Sequence, residues 1–363
     1  VRIPRKMEHV HHALQLGQSG LHGLDDVKLI PNCLPGTSTE HIAISTQIGE
    51  LSLSSPIIIN AMTGGARETE EINRELAVAA RETGLAMAVG SQMSAIKNPE
   101  VASSYRVVRE INPDGFIFGN LGSEATTEQA ECAVEMIGAD ALQIHLNVMQ
   151  ELIMPEGDRD FTGMLGRIRR IVETVGVPVI VKEVGFGMAR ESAEALREAG
   201  VRIIDVGGAG GTNFAAIENA RRVTPLDWLN DWGANTAISL LEVLQAAQGA
   251  DGFGADKKVA VIATGGIDRA LDIAKSLVLG ASAVGMAGAM LRVQRQEGTP
   301  ALIAYIRALH QDLRLVMTAL GAEDLESLRR VPVVIRGETA EWCIARGIDL
   351  QRLANRDGYI YSS

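Results

Sequence analysis

"VPVIVKEVGFGMARESAEALREAGVRIIDVGGAGG" (177–211) decides the fold. It opens on an apolar, β-branched run that ends at Lys182 and Glu183. It then passes to "RESAEALREAG" (190–200), where apolar residues recur at helical spacing before a closing glycine. A second apolar run, "VRIIDVGG", follows directly. Strands that are apolar throughout are buried on both faces, as in a parallel sheet covered by helices. The stretch is one β-α-β unit.

The same unit recurs along the chain. Further strand-like runs are "PIIINAMTGG" (56–65), "GLAMAVGSQ" (84–92), "DGFIFGNLG" (114–122), "DALQIHLN" (140–147), "KVAVIATGG" (258–266) and "ASAVGMAG" (281–288). Helix-like stretches separate them, among them residues 71–82, "EQAECAVEMIG" (128–138) and "RALDIAKSLVLG" (269–280). Eight such repeats predict an α/β fold closed into a (β/α)8 TIM barrel, and no GxGxxG fingerprint opens the first unit to suggest an open sheet. The barrel is expected over 56–295, with N-terminal and C-terminal extensions. Residues 1–55 should supply a helix around residues 6–16 and a hairpin, "EHIAISTQIGELSLSSP", under the barrel. Residues 296–363 should be a helical extension beginning with "PALIAYIRALHQDLRLVMTALG". The longest connection, 212–256, carries Trp228, Trp232 and Asn235 and reads as a lid.

Composition narrows the function. With 46% hydrophobic residues and 38 glycines, the chain suits a large buried sheet with tight connections rather than disorder. A net charge of -11 excludes a general nucleic-acid surface, so an anionic ligand must be met locally. Cys33, Cys132 and Cys343 show no CxxC spacing, which points to a reducing, cytoplasmic setting rather than to a zinc site or a disulfide framework. The basic N-terminus is followed by no apolar export signal, and the longest uncharged run, 276–291, is too short to span a bilayer. No membrane association is expected.

Active sites of this fold lie where the strands finish. In order, the strand ends present Met62, Thr63, Gly64 and Gly65; Ser91 and Gln92; Asn120; the "HLNVMQE" cluster (145–151); Lys182 and Glu183; Gly210, Gly211 and Thr212; Thr264, Gly265 and Gly266; and Ala287 and Gly288. Glycines at the last three ends would let backbone N–H groups approach a phosphate, although any one of them could simply make a tight turn. Lys182 could set its charge beside the N1/C2 edge of a flavin. Within the cluster, strand alternation places His145 and Asn147 on one face, with Gln150 and Glu151 reaching in from the following loop. Taken singly, His145 could be a satisfied core histidine and Glu151 a solvated acid. The single carboxylate of Glu151 is too little for an all-protein metal cage, but it fits Mg²⁺, which keeps waters and takes its other ligands from substrate phosphates. The locally basic "RKMEH" (5–9) would clamp a diphosphate if it folds over the barrel mouth.

These motifs resemble the type 2 isopentenyl diphosphate isomerases, FMN-dependent barrels of isoprenoid biosynthesis. The likeness runs from "RKMEH" through "NAMTGG", "GSQMSAIKNP", "GNLG", "HLNVMQELIMPEGDRDF", "VKEVGFGM", "GAGGTNFAAIE", "DWGANT" and "ATGGI" to "GMAGAM", with "HLNVMQE" and "VKEVGFGM" the specific pair. It departs at Ala209 and Gly210, where many members carry Arg or Ser before "GGT"; the tail "GIDLQRLANRDGYIYSS" has no assigned counterpart.

The resemblance implies FMN contacts from Ala61, Met62, Thr63, Ser91, Asn120, Lys182, Thr212, Gly265, Gly266, Ala287 and Gly288. It implies substrate contacts from Arg5, Lys6, Ser91, Gln92, Met93 and Gln150, catalytic roles for Gln150, His145 and Asn147, and Mg²⁺ at Glu151. The implied reaction interconverts isopentenyl diphosphate and dimethylallyl diphosphate by an allylic proton shift. Reduced FMN would act in acid-base chemistry, NADPH would serve as flavin reductant, and the protein would be a homo-oligomer, a tetramer or octamer. The rival reading is an FMN-dependent oxidoreductase of the hydroxy-acid-oxidase type, which would need a histidine base and carboxylate-binding arginines. A non-catalytic flavin-binding or assembly protein would leave "HLNVMQE" without a role.

Overall fold

Eight parallel strands close on themselves in the computed structural model, which describes residues 21–248 and 259–358. They are β1 (Ile57–Ile59), β2 (Ala86–Ala88), β3 (Ile117–Gly122), β4 (Ala141–Leu146), β5 (Val179–Glu183), β6 (Ile203–Asp205), β7 (Ala260–Thr264) and β8 (Ala283–Met286). Each pairs with the next, and β8 returns to β1 through Val284–Ile57 and Met286–Ile59, so no edge is left open. This is the (β/α)8 barrel that the repeat predicts. Arg5 and Lys6 lie outside the described residues.

Alternation along each strand sorts the side chains into two cores. Ile57, Ile59, Met87, Ile117, Leu142, Ile144, Val181, Ile204, Val261 and Val284 face outward into the layer shared with the helices. Ile58, Ala86, Ala88, Phe118, Ala141, Ile180, Ile203, Ile262 and Ala283 face inward and pack with Ile48, Leu51 and Leu53. Those last three come from an antiparallel hairpin, Thr46–Ile48 with Leu51–Leu53, that stops the end of the barrel at which the strands begin. Each large side chain buried there, Phe118 for example, contributes about 1.5–3 kcal/mol. Small alanines alternate with these larger residues across the lumen.

Beyond β8 the chain forms helices Gly288–Glu297 and Thr299–Leu320, the second packed on Arg67–Thr83 and Ala270–Leu279. Val333–Ile335 then pairs antiparallel with Val27–Leu29, joining segments from near the two ends of the chain. The tail also acquires a role: Arg356 donates to the Val278 and Leu279 carbonyls, capping helix Ala270–Leu279.

Two local expectations are corrected. The connection after β6 is not one long loop: it contains helix Phe214–Ala220, a 3-10 turn Asp227–Leu229 and the sixth barrel helix, Thr236–Gln248. "TAISLLEVLQAAQ" is rich in helix formers, and the Asn235 carboxamide accepts from the Ile238 N–H at its start. Likewise Gln150 and Glu151 sit on a helical turn, Val148–Ile153, that Asn147 introduces, and not on a loop. No helix among the described residues is long and apolar enough to cross a membrane.

Candidate functional site

Above the apolar floor, the inward positions turn polar. One step beyond Ile58, Phe118, Ala141, Ile180, Ile203 and Ile262 come Asn60, Asn120, Gln143, Lys182, Asp205 and Thr264, and one step beyond Gln143 comes His145. Such groups are costly to bury unless each finds a partner. Here they find one another. Asn60 Nδ2 donates to Asp205 Oδ2 at 2.7 Å and lies 3.2 Å from Thr264 Oγ1. Gln143 Nε2 donates to Asn60 Oδ1 at 2.9 Å, and Asn120 Nδ2 donates to Gln143 Oε1 at 3.0 Å. Asn120 Oδ1 lies 2.9 Å from His145 Nδ1, the half-buried residue at the mouth.

The turn after β4 builds a second network. Gln150 Nε2 donates to Glu218 Oε1 at 3.0 Å, and Glu218, fully buried on helix Phe214–Ala220, also pairs with Arg221 at 2.5 Å. Arg221 reaches Glu156 in turn. One helical turn away from Asn147, Glu151 Oε1 accepts from Asn147 Nδ2 at 2.8 Å while its Oε2 accepts from the Asp158 N–H at 2.9 Å. Although Glu124 itself is exposed, desolvation by its surroundings and the neighbouring charges of Glu151 and Asp158 hold its carboxyl above the usual range. The nearby guanidiniums are committed elsewhere, Arg159 to the Glu151 and Met154 carbonyls and Arg221 to Glu156 and Glu218, so among the described residues the Glu151 carboxylate meets only Asn147 and the Asp158 N–H. Among the described residues no group of three or more His, Cys, Asp or Glu side chains could hold a metal ion by itself. Glu151 thus fits a metal that draws the rest of its shell from water and a phosphorylated ligand.

The strand ends on the other side suit a phosphorylated planar cofactor. Thr63 is 3% exposed, yet its Oγ1 has no hydrogen-bond partner among the described residues. Its carbonyl accepts from Gly90 N and Asn73 Nδ2, which fixes the strand end that presents it. Ala61, Met62 and Ser91 are half-buried beside it, and Tyr105 holds the Ser91 carbonyl through its hydroxyl. A Cβ on Gly265 would strike the Gly208 carbonyl and one on Gly266 the Gly210 carbonyl, so the loops after β6 and β7 meet backbone to backbone. No carbonyl of the described residues accepts from the Gly265 or Gly266 N–H. Thr212 is half-buried in the adjoining turn, and Ala287 and Gly288 open the helix after β8. An orphaned hydroxyl and a bare-backbone cradle are features that FMN would satisfy.

Lys182 is 7% exposed and donates through Nζ to the Glu183 carbonyl at 2.7 Å. Glu183 is spent on the fold. Its Oε2 accepts from the N–H groups of Val184, Gly185, Phe186 and Gly187. Burial pushes its carboxyl up to about 7, against the pull of those donors and of the Lys182 ammonium.

Gln92 and Met93 stand apart from the rest of the sequence-derived set. Gln92 is fully buried: its Nε2 donates to the Ala133 carbonyl at 2.9 Å and its Oε1 accepts from Asn120 N at 3.0 Å. It braces β3 against helix Thr127–Ile137. Met93 begins the short helix Met93–Lys97 and is half-buried. Reading the sequence by strand ends alone misses Asn60, Gln143, Asp205, Glu124 and Glu218. Strand parity would have found the first three, since each stands two residues beyond an inward apolar side chain. No local signal marks Glu218, which a separate helix brings to Gln150.

Residues 147–334 match the family model described as FMN-dependent dehydrogenase. An isopentenyl-diphosphate delta-isomerase of Geobacillus sp. (strain WCH70) is 54% identical over 349 residues, covering 96% of this chain and 97% of that one. The Bacillus cytotoxicus protein of the same name is 53% identical over 356 residues, covering 98% and 99%. Among solved structures, a protein described as a lactate oxidase of Pediococcus acidilactici superposes with a TM-score of 0.66 at 15% identity, over 93% of this chain and 96% of that one. A mandelate oxidase with (S)-2-phenylpropionate gives 0.63 at 19% identity, over 92% and 95%. At that identity the oxidases share the fold alone.

Proposed function

The chain belongs to the isopentenyl-diphosphate delta-isomerase family, and from that premise we propose that it shifts the double bond of isopentenyl diphosphate to give dimethylallyl diphosphate, using reduced FMN and Mg²⁺. The observation that carries this reading is the Gln150–Glu218 pair, an uncharged amide held by a buried carboxylate beside a polar barrel mouth. Moving an unactivated double bond requires one carbon to gain a proton and another to lose one, with positive charge developing between. Water must be kept out, and fixed dipoles must replace it.

When bound, FMN in its reduced form supplies an electron-rich ring that can exchange a proton and stabilise that developing charge. Ala61, Met62, Thr63, Ser91, Asn120 and Lys182 would hold its ring end, and Thr212, Gly265, Gly266, Ala287 and Gly288 its phosphate. Lys182 would bring the positive charge that favours an anionic ring. Gln150 positions the reacting end of the substrate, because one of its amide hydrogens is committed to Glu218 and its Oε1 is thereby aimed. His145 and Asn147 meet the substrate at the mouth. Glu151, aligned by Asn147 and the Asp158 N–H, would take Mg²⁺ and with it the diphosphate. Arg5 and Lys6 would complete that clamp, with Ser91 and Met93 lining the substrate side and Gln92 supporting them from behind. Binding energy from the diphosphate then fixes the reacting end. NADPH as reductant, a cytoplasmic setting and a homo-oligomeric assembly belong to the same reading, and the free cysteines Cys33, Cys132 and Cys343 fit a reducing compartment.

The test is to reduce the purified flavoprotein anaerobically with NADPH, add isopentenyl diphosphate and Mg²⁺, and follow product together with the flavin spectrum. Product should accumulate over many turnovers with no stoichiometric flavin oxidation. Flavin reduction by a hydroxy acid, with no isomerised product, would overturn the reading.

A further inference from the structure

We propose that Asp205 is a positioning residue that fixes the proton of His145 on Nδ1, acting through the side chains of Asn60, Gln143 and Asn120. The proposal rests on the reading of His145 as part of the reaction site, and it assigns a task to four buried residues that reading leaves unused or assigns only to the cofactor.

The polarity of the chain follows link by link. Asp205 is fully buried, and its two oxygens each meet a donor: Oδ1 accepts from Gly207 N at 3.1 Å and Oδ2 from Asn60 Nδ2 at 2.7 Å. Turning the Asn60 amide over would set oxygen against oxygen. An independent contact agrees, since Asn60 Oδ1 accepts from the Ala61 N–H at 2.9 Å. With Oδ1 so placed, Gln143 must offer Nε2 at 2.9 Å and so present Oε1 to Asn120. Asn120 must then offer Nδ2 at 3.0 Å, which leaves its Oδ1 facing His145 Nδ1 at 2.9 Å. An amide oxygen can only accept, so Nδ1 carries a hydrogen. The chain crosses the lumen from β1 to β4, and Asn60, Gln143 and Asn120 are each 2% exposed or less. Bonds aligned head to tail in such a medium strengthen one another, which makes reversal of any single link unfavourable.

The consequence is chemical. Whether the ring is neutral or charged, Nδ1 keeps its proton and exchange is confined to Nε2. A neutral ring therefore presents Nε2 as an acceptor, and only a protonated ring presents it as a donor.

The experiment labels histidine with ¹⁵N in the FMN-loaded enzyme, assigns His145 by its loss in H145Q, and reads the protonation of each ring nitrogen across a pH series. Wild type should show Nδ1 protonated throughout and Nε2 alone titrating. D205N supplies a side chain that can donate, so both neutral tautomers should appear, and kcat should fall roughly ten-fold or more with FMN retained and KM little changed. The double variant N60D/D205N moves the carboxylate one link along while keeping every donor facing an acceptor, so it should restore both the tautomer and most of kcat. A purely structural role for Asp205 would leave the tautomer unmoved. An Nε2-protonated neutral His145 in wild type, or an unchanged tautomer in D205N, overturns the proposal, and the first outcome needs no variant to fold. The tautomer is read without turnover, so a wild-type enzyme that failed to isomerise its substrate would count against the functional reading and leave this result standing.

Discussion

Glu218 Oε1 accepts the Nε2 hydrogen of Gln150 at 3.0 Å, and both side chains are buried. A carboxylate cannot donate, so the pair has one polarity and the Gln150 amide has one orientation.

That polarity is open to test with E218Q, which keeps the shape but lets the amide turn over. We expect kcat to fall roughly 10–100-fold, the range of a misplaced proton-handling group, with the FMN content of the purified protein unchanged. Steady-state rates at saturating isopentenyl diphosphate, beside the flavin absorbance, check it; an unchanged kcat would remove Glu218 from the site.

E151Q should separate metal from cofactor. The variant loses the charge and keeps only one of the two acceptor oxygens that meet Asn147 Nδ2 and the Asp158 N–H, so the Mg²⁺ concentration needed for half-maximal rate should rise by about ten-fold or more while FMN stays bound. A Mg²⁺ titration of initial rate decides the matter, and an unaltered titration would count against Glu151 as the ligand.

For the cofactor cradle, T63V removes a hydroxyl that no described protein group uses. Apo-protein stability should therefore change little, while FMN affinity weakens by about 1 kcal/mol, or roughly five-fold. G211A probes the other end, because its new Cβ would stand 2.9 Å from the Gly266 nitrogen. Fluorescence titration of apo-protein with FMN should show loss in both variants, with G211A the more severe.

His310 supplies a pH dependence remote from the site. Its Nε2 lies 2.8 Å from Ser55 Oγ, and burial, with the Arg314 charge, lowers its pKa from 6.5 to about 4. Below 6.5 the unfolded chain binds a proton that the folded chain refuses, so stability should fall as pH drops and level off below about 4. After solvent screening the loss is roughly 1–2 kcal/mol. Denaturant melts of wild type and H310Q between those limits test it: the variant should lose that slope, and parallel curves would refute the assignment.

The barrel was legible because its information is local and repeated. Ile58, Phe118, Ile180 and Ile262 announce buried strands by composition, and terminal glycines such as Gly200 close the helices. Strand ends then follow, which is why Thr63, Asn120, His145, Lys182 and Gly265 are legible in the sequence as strand-end residues. Gln92 shows where this reasoning thins: it too stands just past a strand, but the strand has already ended at Ala88, and the side chain turns to helix Thr127–Ile137 instead. The sixth barrel helix, Thr236–Gln248, is hidden within the long connection 212–256 because its residues are apolar nearly all round, which blurs the periodicity that marks a helix at the surface.

By itself, then, the sequence determined the closed barrel, the strand ends at which polar side chains gather, and the kinship carried by "HLNVMQE" and "VKEVGFGM". Only the tertiary structure decided who holds whom. Glu218 comes 68 residues after Gln150, and Asp205 comes 145 residues after Asn60. Periodicity reports which face a side chain takes, whereas a hydrogen bond needs two groups within about 3 Å in three dimensions. That meeting exists only once the barrel has closed.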